Sequence, residues 1–334
     1  MGQIAYVRRY KGKQGFSKPL SPMHVLVIDE FPADFLSELK SLPVSVQYMA
    51  DHTPEEVLAS LPDCDILIIN SKIRVDRDTA PLAPRLKLVV RAGIGMDHID
   101  VPYLESRGVA VRNTMGGNAD SVGEQTIGML LALRHKLHLT DRQVKRFEWI
   151  REENRATEIT GKTVGIIGYG NTGSAVGRRL AGFRCRVLAY DKYKTGFDHD
   201  HVEEAALEAL FEEADILTLH IPLTDETRNW VDDAFLARFR KPITLLNLAR
   251  GPILDLGALI RALDSGKVIA AALDVLVNEK LHTLTDLQRS QYKNLFARDN
   301  LILSPHIGGW SFESLRNINN RVLEHVKEFL SPGI

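Results

Sequence analysis

From Met23 onward, short apolar runs rich in β-branched residues alternate with stretches whose apolar positions recur every three or four residues. The runs at 24–30, 44–49, 65–70, 86–90 and 109–112 read as strands. A second series at 163–168, 186–191, 215–220, 243–248, 268–273 and 301–304 repeats the pattern. Apolar runs of this length show little alternation between faces. They mark strands buried on both sides, as in parallel sheets covered by helices. Two series predict an α/β chain with two doubly wound parallel sheets.

Two long helices are expected to join the sheets. Val122, Thr126, Met129, Leu130 and Leu133 fall on one face of a helix over 119–136. Phe312, Leu315, Ile318, Val322, Val326 and Phe329 do the same over 312–330, with Ser311 as its N-terminal cap. The last helix follows the second sheet and is expected to pack back on the first. The chain then crosses between domains near 112 and near 305. This assigns 23–112 plus 306–334 to one domain and 113–305 to the other. A ligand is expected where two such domains face each other.

Residues 1–22 differ from the rest. They hold Arg8, Arg9, Lys11, Lys13 and Lys18 and no acid, and lack an apolar stretch long enough for a secretory signal. We read them as a disordered basic tail, and expect a chain beginning at Met23 to fold.

Composition removes several function classes. The 334 residues carry 42 Lys+Arg and 43 Asp+Glu, a net charge of −1, which lacks the basic excess of a general nucleic-acid binder. No apolar run is long enough to span a membrane. Cys64 and Cys185 form no close pair, so neither a disulfide framework nor a structural metal site is expected. We read both as buried free thiols in a reducing, cytoplasmic setting.

The strongest local signal is TVGIIGYGNTG, with Gly168, Gly170 and Gly173 directly after an apolar strand and at the start of a helical pattern. The first glycine permits the tight turn, the second admits a pyrophosphate, and the third lets the helix approach the strand. Free amides and the helix dipole then favour the anion. The next strand ends in Asp191, placed to accept from ribose hydroxyls and to repel a 2′-phosphate. NAD is therefore favoured over NADP, with Lys192 and Lys194 as nearby charges that oppose the preference.

Three later segments each follow a predicted strand: NLARGPILD with Arg250, ALDVLVNEK with Asp274 and Glu279, and SPHIGGW with His306. Strand ends of this kind are where open α/β sheets bind ligands. With AGIGMDHID, NADSVGE and HIPLTDETRNWV, these segments resemble, over about 23–330, the D-isomer-specific 2-hydroxyacid dehydrogenases. The resemblance implies a Rossmann NAD-binding domain, a flavodoxin-like substrate or lid domain, and a homodimer formed through the NAD domain. It implies hydride transfer between nicotinamide and C2 of a D-2-hydroxy acid or 2-keto acid.

The chemistry suits the residue types. The permanently charged fork of Arg250 can hold a carboxylate and polarise the adjacent carbonyl. His306 would be the acid of reduction and the base of oxidation. Glu279 would fix its tautomer and stabilise the imidazolium. By resemblance, Asn171 and Thr172 lie at the pyrophosphate, and Leu248 and Ala249 lie beside the nicotinamide ribose. Asp274 contacts the carboxamide, and backbone at Gly93, Ile94 and Gly95 helps to hold the substrate carboxylate. Lys72 is a weaker candidate on the substrate side, as are Arg74 and Arg91.

The chain departs from the family pattern in places. Lys280 stands where many relatives have proline, and a polar insert at 281–300 follows. Asn70, Ser71, Lys72 and Ile73 stand where phosphate-reading relatives carry Arg-Ser-Arg-Thr, which disfavours 3-phosphoglycerate relative to hydroxypyruvate or glyoxylate. The chain runs only briefly past His306, so a C-terminal regulatory domain is not expected. Two other readings share the fold: an NAD(H)-sensing corepressor-like protein and a phosphite-type dehydrogenase. A formate enzyme is disfavoured because Glu279 takes the place of the glutamine found there.

Overall fold

A computed structural model describes residues 22–199 and 201–331. The expected basic tail, apart from Pro22, lies outside the described residues. The described residues divide into a continuous unit, Ala119–Ser311, and a split unit built from residues 22–118 and 312–331. Both crossings lie a few residues beyond the expected ones. Residues 114–118 stay with the split unit because Gly117 packs there: a Cβ on it would stand 3.1 Å from Ile318 Cγ1. The segment around His306 is tied to Asp274 of the continuous unit.

The split unit holds β1 (Met23–Val27), β2 (Val44–Tyr48), β3 (Ile66–Ile69), β4 (Leu88–Arg91) and β5 (Ala110–Asn113). They form one parallel sheet in the order β2-β1-β3-β4-β5. Every residue of β3 is buried, as a central parallel strand requires. Leu26, Leu67 and Val89 pack on one face with Val57 and Leu104. Val25, Ile66 and Val90 pack on the other with Phe35, Leu39, Ile318, Val322 and Val326. The terminal helix is Phe312–Leu330, as its periodicity predicts. Its first turn departs from the pattern: Phe312 is exposed and Ser314 is buried, because the helix begins at the crossing before it reaches the sheet.

The continuous unit holds β6 (Thr163–Ile167), β7 (Arg186–Tyr190), β8 (Glu203–Glu204), β9 (Ile216–Leu219), β10 (Ile243–Asn247), β11 (Val268–Leu273) and β12 (Leu301–Leu303). Their order is β12-β11-β10-β9-β6-β7-β8, all parallel. The strand order reverses between β6 and β9, which makes the crevice at their carboxyl ends the expected ligand position. β8 has no apolar run to announce it. It is a two-residue edge strand, where polar residues are tolerated.

The helix Ala119–Arg134 buries Val122, Thr126, Met129, Leu130 and Leu133. It lies close to the helix Asn171–Leu180, since a Cβ on Gly123 would sit 3.2 Å from the Ala175 backbone. The 281–300 insert is ordered. It contains the helix Asp286–Phe296, opened by a capping box between Thr285 and Gln288. Among the described residues no helix is long and apolar enough to cross a membrane.

Candidate active site

The glycine turn fits a dinucleotide phosphate. Gly168 has φ +91°, and a Cβ there would stand 2.5 Å from the His220 carbonyl oxygen. A Cβ on Gly173 would stand 1.9 Å from Gly168 O, so that helix and strand meet only through glycine. Gly170 is different. A Cβ there would meet nothing within 4 Å, which leaves open space over the turn where a phosphate can approach. Asn171, Thr172 and Gly173 open the helix Asn171–Leu180, whose first amides lack intrahelical acceptors.

Asp191 follows β7. One carboxylate oxygen accepts from Tyr169 N at 2.8 Å, and the other from Tyr193 N at 2.9 Å and Lys194 N at 3.0 Å. It therefore joins the phosphate turn to its own loop while its charge remains at the expected ribose position. His220, beyond β9, is buried. It meets Thr218 Oγ1 at 2.9 Å through Nε2, while its Nδ1 has no partner among the described residues. Burial pushes its pKa down to about 4, so the ring is neutral at physiological pH.

The catalytic candidates come from the ends of three neighbouring strands. Arg250 follows β10. Its turn is tied by buried Asn247, which accepts from Ala249 N at 3.0 Å and donates to Arg250 O at 3.0 Å. Leu248 and Ala249 are buried beside it. Gly251 is required at the next position, because a Cβ would stand 1.9 Å from Leu276 O. The loops that carry Arg250 and Glu279 thus touch through backbone.

Glu279 Oε2 lies 3.0 Å from His306 Nδ1, and the two side chains are 44% and 43% exposed. The pairing commits Nδ1 and leaves Nε2 outside it. His306 has φ +56°, a left-handed conformation that costs a non-glycine residue energy unless its surroundings enforce it. Asp274 supplies the enforcement. Its backbone oxygen accepts from His306 N at 2.8 Å. Its carboxylate, 2% exposed as a residue, accepts from Ser304 Oγ at 2.5 Å, Ile307 N at 3.0 Å and Gly308 N at 2.8 Å. Both oxygens of Asp274, which the sequence reading assigns to the nicotinamide carboxamide, accept from the histidine loop.

The candidates of the split unit behave differently. Gly93 has φ +153°, and a Cβ there would collide with the Arg91 guanidinium. Gly93 O accepts from Thr114 N at 3.0 Å and Ile94 O accepts from Asn113 Nδ2 at 2.9 Å, so the carbonyls of this turn point inward. Gly95 completes the turn. Lys72 donates to the backbone carbonyls of Met49, at 3.0 Å, Ala50 and His52, at 3.2 Å. All three donors of the ammonium are used within the loop after β2. Arg74 pairs with Asp76 at 3.2 Å.

The sequence reading missed the support behind Glu279. Asn278 N donates to Tyr292 Oη at 3.1 Å, and Asn278 Nδ2 donates to Thr283 Oγ1 at 3.0 Å. Lys280 N donates to Asn278 Oδ1 at 3.0 Å. The insert therefore braces the Glu279 loop from behind, with Tyr292 and Leu295 buried. The T-x-x-Q capping pattern at 285–288 was the available signal.

Residues 127–308 match the family model for the D-isomer specific 2-hydroxyacid dehydrogenase NAD binding domain. The chain is 33% identical over 299 residues to a hydroxypyruvate reductase of Thermotoga maritima, covering 90% of this chain and 94% of that one. It is 33% identical over 305 residues to D-3-phosphoglycerate dehydrogenase of Mycobacterium tuberculosis, covering 91% of this chain and 56% of that one. Among solved structures it is similar to a D-lactate dehydrogenase of Aquifex aeolicus complexed with NAD and lactic acid. The TM-score is 0.80 and the identity 26%, over 92% of this chain and 95% of that one.

Proposed function

This chain belongs to the D-isomer specific 2-hydroxyacid dehydrogenases, and from that premise we propose that it reduces a small unphosphorylated 2-keto acid with NADH. The observation that carries the reading is the Glu279–His306 pair, held in a strained loop next in line to the Arg250 turn. Arg250 holds the substrate carboxylate and polarises its carbonyl. His306 Nε2 delivers the proton to the developing alkoxide, and Glu279 steadies the ring through Nδ1. Bound NADH supplies the hydride to C2.

Three features favour an unphosphorylated substrate. Asn70 stands where phosphate-reading relatives carry arginine. The Asp29 carboxylate accepts from Asn70 N at 2.6 Å and places negative charge behind that loop. Lys72 is spent on carbonyls. Preference for NAD over NADP is supported by Asp191 at the ribose position. A homodimer is supported by Phe147 and Trp149, 98% and 80% exposed on the segment after the helix Ala119–Arg134. A cytoplasmic location is supported by two unpaired cysteines, one in each unit.

The test is NADH consumption with hydroxypyruvate, glyoxylate, pyruvate and 3-phosphohydroxypyruvate. Turnover on the unphosphorylated acids, with kcat/KM well above that for the phosphorylated one, is expected. Turnover confined to 3-phosphohydroxypyruvate would overturn the substrate assignment. NADH binding without turnover on any acid would favour the sensor reading.

A further inference from the structure

The phosphate turn after β6 has a loop on either side, because β7 and β9 flank β6 in the sheet. One loop carries Asp191, Lys192, Tyr193 and Lys194. The other spans 220–227. Their tips are joined. Lys192 Nζ lies 2.5 Å from Glu226 Oε2, and Tyr193 Oη donates to the same oxygen at 3.2 Å. Glu226 sits on a fixed turn: Thr227 Oγ1 accepts from Thr224 N at 2.8 Å and donates to Pro222 O at 2.7 Å. Lys194 is committed elsewhere. It donates to Tyr169 O at 3.2 Å and lies over the Tyr169 and Phe197 rings.

An exposed ion pair adds little to folding stability. Its position gives this one another consequence. Lys192 directly follows Asp191, the carboxylate placed to turn away a 2′-phosphate. A free ammonium at that point would attract the same phosphate and offset the rejection. Hydrogen bonding to Glu226 raises the Lys192 ammonium above its ordinary range and lowers the Glu226 carboxyl, so both stay charged together. We propose that Glu226 is a selectivity residue for the dinucleotide: it captures Lys192 across the mouth of the crevice and so preserves the discrimination that Asp191 makes. The inference rests on NAD as the preferred cofactor.

The test uses the full chain and direct fluorescence titration with NADH and NADPH. Four proteins are compared: wild type, Glu226→Gln, Lys192→Gln and the double variant. Glu226→Gln keeps the shape of the side chain and removes its charge. Its NADPH affinity is expected to rise relative to NADH by about fivefold at low salt, and by less at high salt. The double variant is expected to return to the wild-type ratio, because the released cation is gone. A ratio unchanged in Glu226→Gln overturns the proposal, whether or not the melting temperature moves. So does a raised ratio that persists in the double variant. A wild type that binds neither dinucleotide, or binds NADPH as tightly as NADH, removes the cofactor reading beneath it.

Discussion

The loops after β11 and β12 and the loop after β3 all place charged side chains at the carboxyl ends of parallel strands, yet they use them in opposite ways. In the continuous unit, buried Asp274 takes on the backbone amides, and Glu279 and His306 keep half-exposed side chains paired only with each other in the hydrogen bonds described. In the split unit, Lys72 itself takes on the backbone, and Asp29 accepts from the amide of Asn70. A charge at a strand end becomes available for chemistry when another residue does the structural holding. Strand-end position alone does not separate the two cases, whereas the hydrogen-bond partners do.

The largest test of this contrast is His306→Ala. It should lower kcat by roughly 10²–10⁴-fold, the usual cost of losing a general acid, while NADH binding measured by fluorescence stays near wild type. Substantial remaining activity would remove His306 from the role assigned to it. Arg250→Lys keeps the charge and loses the fork. It should lower kcat/KM for hydroxypyruvate by about 10–100-fold, read by steady-state kinetics.

Asp274→Ala tests the holding residue directly. Three donors lose a buried acceptor and the strained loop keeps only the bond from His306 N to the backbone oxygen at 274, so unfolding stability should fall by about 2–4 kcal/mol. Urea unfolding followed by tryptophan fluorescence isolates this effect, since Trp149, Trp230 and Trp310 all lie in the continuous unit.

The same signal tests His220. An unfolded histidine takes up a proton near pH 6.5, but His220 in place does so only near 4. As pH falls through that interval the unfolded chain gains a proton that the folded chain does not. Stability is therefore full above about pH 6.5 and declines toward pH 4, by about 3 kcal/mol in total. His220→Gln should flatten the slope. The smallest effect is expected for Lys72→Met. It loosens a loop without removing a reacting group, so KM should rise about threefold with kcat unchanged. A large loss specific to 3-phosphohydroxypyruvate would instead make Lys72 a phosphate reader.

Much of this was legible in the chain, for a common physical reason. Strands buried on both faces must be apolar throughout, and the long apolar runs proved to be strands with ends shifted by at most three residues. Gly168 and Gly173 of the phosphate turn were legible because close backbone leaves no room for a Cβ at either. What stayed hidden depends on partners distant in sequence. The hold of Lys72 on the Met49, Ala50 and His52 carbonyls appears only once β2 brings that loop to it. The hold of Asp274 on the histidine loop appears only when the loop after β12 arrives. The insert reads as polar because Tyr292 and Leu295 are few among many exposed residues. The left-handed backbone of His306 leaves no trace in residue type.

The contact between Gly251 and the Leu276 carbonyl also has a consequence for how this chain can change its length. It locks two loops in register up to about residue 277, so an added or deleted residue there would shift Glu279 away from its histidine. Beyond Lys280 no such lock applies, and that is where the extra helix has been accommodated. Shortening or extending 281–300 while keeping the support that Tyr292 gives Asn278 should leave the catalytic group intact. The segment is thus a place where the enzyme can be elaborated without redesigning its chemistry.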